Sequence, residues 1–144
     1  MSDPLKLISH TEEDLTVMSG LLQDTTVRVG DIAWLPKEHR FAFVGNRFRW
    51  EKKRKFFRPK GERVRTGFHM NGILAAKLHG IDIKDEDTVL ELLDIEVHEN
   101  GVDYFIMLNF AGGASIRLTA ECIDATLSDM GDEWEALERP HHVD

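Results

Sequence analysis

The chain has 144 residues, a formal net charge of −8 and a single cysteine. This length is typical of one domain, a lone cysteine excludes an intramolecular disulfide, and no segment approaches the roughly 20 apolar residues that a membrane-spanning helix needs. We therefore expect a single cytoplasmic domain over residues 1–144, without a signal peptide or a membrane contact.

The charge is unevenly distributed along the sequence. Residues 47–65 contain ten basic and two acidic residues and so carry +8. Since the whole chain carries −8, the other residues together carry −16. Such an asymmetry bears on association and solubility, not on the fold.

A helix is the first element that the sequence predicts. Ser9 and Thr11 both offer a suitable cap, acidic residues 12–14 follow in the first turn, and the helix is expected to end near Gln23. Ser19 is assigned to the solvent face, and residues 5–8 fit either a short edge strand or a packed lead-in. The apolar stripe that should pack on a sheet consists of Leu15, Met18, Leu21 and Leu22.

Two strands joined by a turn are predicted next. Residues 25–35 alternate as a strand whose phase changes at Gly30, which indicates a bulge or a bend. Residues 36–39 form the turn, and residues 40–51 form the return strand. This pair is a hairpin whose far end becomes basic.

The return strand leads into a basic loop. Alternation places Ala42, Val44, Phe48 and Trp50 on one face and Phe41, Phe43, Arg47 and Arg49 on the other. If Phe48 and Trp50 enter the core, Arg47 and Arg49 contact water. Residues 52–61 (KKRKFFRPKG) have no helix or strand period, and we expect this loop to be mobile because its cations repel one another. Alternation resumes over residues 63–68, so the loop should join neighbouring antiparallel strands.

The next segment has the weakest pattern of the chain. Residues 70–81 fit a short helix or a strand, and we favour the strand because the periodic run is short and the neighbouring segments are strands. An acidic turn at residues 82–87, a strand over residues 88–98 and an Asn-Gly hairpin turn at residues 100–101 follow.

Residues 103–127 form the stretch around which the rest of the chain should pack. They alternate as two strands that reverse at Ala111-Gly112-Gly113. A slip of phase near Cys122 predicts a bulge or a sharp bend. The residues assigned to the core are Ile106, Leu108, Phe110, Ile116 and Leu118.

Together these segments predict an α+β fold. Six or seven bent antiparallel strands would form a barrel, a roll or a tight sandwich, with the N-terminal helix packed across one open end. Residues 132–140 leave room for a short C-terminal helix.

Three stretches of the chain carry a resemblance to a known family: VGDIAWLPKEHRFAFVGNRFRWE at residues 29–51, the turn at residues 80–82, and FAGGASIRLTAECIDATLSDMG at residues 110–131. Together they resemble an uncharacterised bacterial family, the domain of unknown function numbered 2948. The resemblance implies one domain over nearly the whole chain. It implies no activity, cofactor or catalytic residue.

Catalytic and metal chemistry has little support in the sequence. The seven histidines lack ligand spacing, and Cys122 is expected to be a small hydrophobe within a strand. Ser115 lacks the G-x-S-x-G context of a nucleophile, and neither acidic cluster has the spacing of a calcium loop. We therefore predict no metal and no cofactor, and an enzyme is the least expected class.

The basic segment is the candidate site, because cations interleaved with aromatic residues suit an anionic partner. Its residues are Arg47, Arg49, Lys52, Lys53, Arg54, Lys55, Phe56, Phe57, Arg58, Arg63 and Arg65. The favoured function is a non-enzymatic adaptor that binds an acidic protein surface or associates with itself. Binding of nucleic acid or another polyanion, and a barrel that holds a small apolar or anionic ligand, are the alternatives.

Overall fold

The structure is a computed structural model that describes residues 5–49 and 63–130. This part of the chain contains one α-helix and ten β-strands. They are β1 (Lys6–Ser9), α1 (Glu12–Leu22), β2 (Thr26–Arg28), β3 (Ile32–Leu35), β4 (Arg40–Phe48), β5 (Arg63–Asn71), β6 (Ile73–His79), β7 (Val89–Asn100), β8 (Asp103–Phe110), β9 (Ser115–Ala120) and β10 (Ala125–Asp129). The prediction of an antiparallel sheet with an N-terminal helix is confirmed.

The predicted count of six or seven strands is wrong, because bends divide two of the predicted strands. A 3-10 turn at Val29–Asp31 separates β2 from β3, close to the predicted break at Gly30. A bend at residues 121–124 separates β9 from β10, as the phase slip near Cys122 indicated. Residues 6–9 add β1, and residues 73–79 form the strand β6 that we favoured over a helix.

The helix α1 begins where the sequence predicts. The Oγ1 atom of Thr11 accepts a hydrogen bond from the N–H of Asp14 at 3.0 Å, which caps the first turn. The helix packs mainly on β7. Ser19 does not face solvent as predicted: it is buried, and its Oγ atom accepts a hydrogen bond from the N–H of Ile95 at 2.8 Å. A polar residue on the buried face of the helix therefore accepts a hydrogen bond from the backbone of the sheet.

The ten described strands belong to one antiparallel sheet. Its order is β1-β10-β5-β4-β2-β7-β8-β9-β6, and β3 pairs with β4 beside β2. Over residues 5–49 and 63–130 the sheet does not close into a barrel, since β1 and β6 end this order. Of the three predicted shapes, which were a barrel, a roll and a tight sandwich, the closed barrel is therefore wrong for the described residues.

The bend depends on a corner at which β5 passes into β6 and β9 passes into β10. Gly72 forms the first half of this corner with a φ of +73°, a conformation that favours glycine. A Cβ atom at Gly72 would lie 2.8 Å from the Sγ atom of Cys122 in the second half. A larger residue at Gly72 would therefore strain the backbone and force the thiol of Cys122 to move.

The core lies on one face of the bent sheet. The five predicted core residues of β8 and β9 are all buried, which confirms that part of the prediction. The faces of β4 are the reverse of those predicted. Phe41, Phe43 and Arg47 are buried, whereas Phe48 is only half-buried. Phe43 stacks on Phe68 of β5 with ring centroids 5.0 Å apart, and this contact helps to fix the face.

Two predictions fall on residues that the structure does not describe. They are the mobile basic loop at residues 52–61 and the short C-terminal helix at residues 132–140. Within residues 5–49 and 63–130, no helix is both long enough and apolar enough to cross a membrane.

Candidate binding site

Four of the eleven predicted site residues lie in the described part of the chain. Arg47 and Arg49 are at or just beyond the end of β4, and Arg63 and Arg65 are at the start of β5. The other seven lie outside it: Lys52, Lys53, Arg54, Lys55, Phe56, Phe57 and Arg58. The described residues therefore form the base from which the basic loop departs.

Arg47 lies inside the protein and not on its surface. Its side chain is 0% exposed and forms two parallel hydrogen bonds to Asp129, from Nε to Oδ1 at 2.8 Å and from Nη2 to Oδ2 at 2.9 Å. Asp129 Oδ2 also accepts the N–H of Leu5 at 3.2 Å, and Arg47 Nη1 donates to the carbonyl of Phe48 at 3.1 Å. This pair joins β4, β10 and the segment before β1, so Arg47 has a structural role here.

Arg63 lies at the surface and is held by backbone acceptors. Its Nη1 atom donates to the carbonyl oxygens of Asp24 at 3.0 Å and Asn46 at 3.1 Å. Its guanidinium also lies 5.9 Å from the ring centroid of Phe48, its register partner on β4. Arg63 is therefore positioned across the β2, β4 and β5 region instead of extending freely into solvent.

Arg65 borders a shallow surface depression that we call the basic concavity. The concavity has a volume of about 250 Å³. Arg65 of β5 and Arg28 of β2 line it, with Asn46 between them on β4 and Thr26 beside it. The register explains this arrangement, because Arg65 pairs with Asn46 and Asn46 pairs with Thr26. Three strands thus bring two arginines and an amide to one site.

The floor of the basic concavity includes Gly45. A Cβ atom at Gly45 would lie 2.7 Å from the carbonyl oxygen of Thr26. Such a distance is shorter than a nonbonded contact allows, so a side chain would push β2 away from β4. Glycine is needed here for the close approach of the two strands, which places Arg28 near Arg65.

Acidic neighbours already contact Arg28. Its guanidinium lies 3.5 Å from Asp31 and 3.0 Å from Asp87, and both pairs are solvent-exposed. Asp31, and then Asp87, raise the pKa of Arg28 above its ordinary value. An anion that enters the basic concavity must therefore compete with these carboxylates.

No signal in the sequence pointed to Arg28. It lies outside the basic segment, and only the pairing of β2 with β4 brings it near Arg65. Arg49 is half-buried at the base of the basic loop. The site is therefore built by strand pairing as much as by the charge run.

Other reactive side chains lie apart from this site. Cys122 is exposed at the bend before β10 and is not the buried strand residue that we predicted. Partial burial of the thiol, and then the charges of Asp124 and Glu121, raise its pKa, which disfavours the reactive thiolate. Within residues 5–49 and 63–130, no group of three or more His, Cys, Asp or Glu side chains is arranged to hold a metal ion.

Comparison with known proteins settles the family. Residues 5–142 match the family model described as "Protein of unknown function (DUF2948)". The chain belongs to the DUF2948 family. No curated protein and no solved structure matches it. The family description assigns no activity to the basic concavity of this DUF2948 chain, so its function has to be argued from its geometry and charge.

Proposed function

We propose that this DUF2948 chain is a non-enzymatic binding module that holds an acidic protein surface. The binding surface consists of the basic concavity and the basic loop at residues 52–61. It differs from the sequence hypothesis in its arginines. It omits Arg47, which is paired inside the protein, as well as Arg49 and Arg63, which do not line the basic concavity, and it adds Arg28.

One observation carries the proposal. Arg28 and Arg65 line the same open depression, and it lies on the strands that lead into and out of residues 50–62. That segment has six basic and two acidic residues and contributes a further +4. The depression thus presents arginine side chains on a concave and partly polar surface that also includes Asp31, and guanidinium groups suit carboxylates because they bind them with directed hydrogen bonds.

The charge of the remaining chain favours a protein over nucleic acid. Outside residues 47–65 the chain carries −16, so a long polyanion would approach a body of like charge. Screening weakens this repulsion only beyond about 10 Å at 0.1 M salt. An acidic protein surface of limited area can contact the basic side alone, and a second copy of the chain offers such a surface.

The proposal is tested by titrating a fluorescein-labelled 20-residue polyglutamate into the full chain at about 50 mM salt, with fluorescence anisotropy as the measurement. We expect binding that weakens steeply as salt rises. The basic-loop variant K52Q/K53Q/R54Q/K55Q should lose most of this affinity. The control variant K6Q/K37Q/K77Q/K84Q removes four exposed lysines outside the basic loop, and it should keep the affinity of the wild type for polyglutamate.

Nucleic acid is the competing outcome. Single- and double-stranded 20-base oligonucleotides are titrated under the same conditions, where binding to phosphates is strongest. Binding of either oligonucleotide more tightly than polyglutamate would replace the proposed partner with nucleic acid. Equal loss of polyglutamate binding in the basic-loop and control variants would show that only net charge matters and would refute the proposed surface.

A further inference from the structure

A second cavity, of about 460 Å³, lies at the open part of the sheet. Ile32 and Trp34 of β3 line one wall, and Ala76 and Leu78 of β6 line another. Phe41 of β4 and the loop at residues 81–86 complete it. We call it the seam cavity. Among the described residues, it shares no lining residue with the basic concavity.

The seam cavity exists because two strands keep a free edge. β3 pairs only with β4 and β6 pairs only with β9 among the described residues. β6 meets the turn between β3 and β4 at a hydrogen bond in which the N–H of Ile73, the first residue of β6, donates to the carbonyl of His39 at 2.9 Å. Since β3 and β6 do not pair with each other in the described sheet, the core remains accessible between them.

The walls of the seam cavity continue the hydrophobic core. Each wall residue pairs in register with a buried core residue: Ile32 with Phe43, Trp34 with Phe41, Ala76 with Leu118 and Leu78 with Ile116. Nevertheless Leu78 is 42% exposed, and Ile83 in the loop is 64% exposed. Within residues 5–49 and 63–130, apolar side chains are thus uncovered at this opening, which is typical of a ligand site.

Glu86 is the one ionisable residue among the described residues that line the seam cavity. Its carbonyl accepts a hydrogen bond from the N–H of Gly30 at 2.9 Å, which fixes its backbone. A Cβ atom at Gly30 would lie 3.0 Å from the Cβ atom of Glu86, so glycine leaves room for this side chain. A single carboxylate beside an apolar wall selects for a ligand with one cationic end.

We propose that the seam cavity binds a small apolar amine. An aromatic or branched aliphatic body would occupy the apolar walls, and a protonated amino group would pair with the carboxylate of Glu86. The volume agrees with this size, because a dry cavity of about 150 Å³ already holds benzene and ligand pockets run from about 300 to 1,000 Å³. The proposal does not depend on the basic concavity or on an acidic partner.

Three probes with the same body and different ends test the proposal: phenylbutylamine, phenylbutanol and phenylbutyrate. Each is titrated into the ¹⁵N-labelled full chain, and the indole N–H resonance of Trp34, assigned with the W34F variant, reports binding. We expect the amine to bind about five-fold more tightly than the alcohol and the carboxylate to bind most weakly. In E86Q the advantage of the amine over the alcohol should disappear, whereas D85N should keep it.

Adjacent alanines on β6 provide a matched pair of variants. Ala76 lines the seam cavity, while Ala75 is exposed and does not. A76F should fill the cavity and abolish binding of all three probes, and A75F should bind them as the wild type does. If A76F does not fold, the E86Q comparison decides the question alone.

Three results would overturn the proposal. They are equal affinity of the wild type for the amine and the carboxylate, unchanged binding in A76F, and unchanged preference for the amine in E86Q. A change of the Trp34 resonance with protein concentration and without probe, absent in A76F, would instead assign the seam cavity to contact with a second copy.

Discussion

The buried ion pair between Arg47 and Asp129 can be tested by changing Asp129 to asparagine. This substitution keeps the size of the side chain and removes its charge. The guanidinium of Arg47 would then remain charged without the carboxylate of Asp129, although its side chain is 0% exposed. In asparagine only the amide oxygen can accept a hydrogen bond, because the amide nitrogen is a donor. Both oxygens of Asp129 accept hydrogen bonds from Arg47, at 2.8 and 2.9 Å.

The expected loss of unfolding free energy is about 3 to 5 kcal/mol, the usual cost of removing one partner of a buried ion pair. Three further features place Asp129→Asn in the upper half of this range. Both carboxylate oxygens of Asp129 accept hydrogen bonds from Arg47, and the substitution also weakens the bond that the N–H of Leu5 donates to Oδ2 at 3.2 Å. In addition, the pair connects β4, β10 and the segment before β1. Replacing both partners with leucine should cost less than Asp129→Asn alone, because no buried charge remains.

Chemical unfolding followed by far-ultraviolet circular dichroism measures this loss. Asp31→Asn is the matched control, since it removes the carboxylate of an exposed arginine pair, and it should cost less than about 1 kcal/mol. The reasoning is refuted if Asp129→Asn costs no more than Asp31→Asn, or if the double leucine variant is the less stable one.

Three further expectations come from the described residues and a fourth comes from the sequence. Leu108→Ala should cost about 2 to 5 kcal/mol in chemical unfolding, and a loss below about 0.5 kcal/mol would contradict its place in the core. Gly45→Ala should cost about 1 to 3 kcal/mol, because its methyl group would meet a carbonyl oxygen at 2.7 Å; an unchanged midpoint would contradict this. Limited trypsin digestion should cut first within residues 52–60, and early cleavage elsewhere would contradict a mobile basic loop. Burial, and then the charge of Arg40, lower the pKa of His69, so the unfolded chain binds its proton more readily and stability falls as pH drops from about 7 to 5. His69→Gln should flatten this fall, and an identical pH profile would exclude the effect.

Much of the fold could be predicted because the responsible signals are local. Thr11 and the acidic first turn define the start of α1, and alternation defines β8 and β9. The faces of β4 could not be predicted, because aromatic residues occupy both faces and alternation alone cannot choose between them. The buried face contains Arg47, whose partner Asp129 is 82 residues away. The sequence pattern of β4 alone does not indicate the contact between Arg47 and Asp129.

The candidate site was predictable only in its charge. The run of cations at residues 47–65 is visible in the sequence, but Arg28 joins it through strand pairing. The seam cavity is a stronger example, because its walls belong to β3 and β6, which come to line one cavity only in the folded protein. The sequence contains the residues of both sites, and the order of the strands brings them together.

The central claim is that Arg28, Arg65 and the basic loop form one surface for acidic groups. Its most direct test is the chemical shift of arginine Nε–Hε groups during titration with polyglutamate. We predict shifts at Arg28 and Arg65 that reverse at high salt, and no shift at Arg117, which lies on β9 with its guanidinium 4.7 Å from the ring centroid of Phe105. Shifts of equal size at Arg117, or none at Arg28 and Arg65, would contradict the claim.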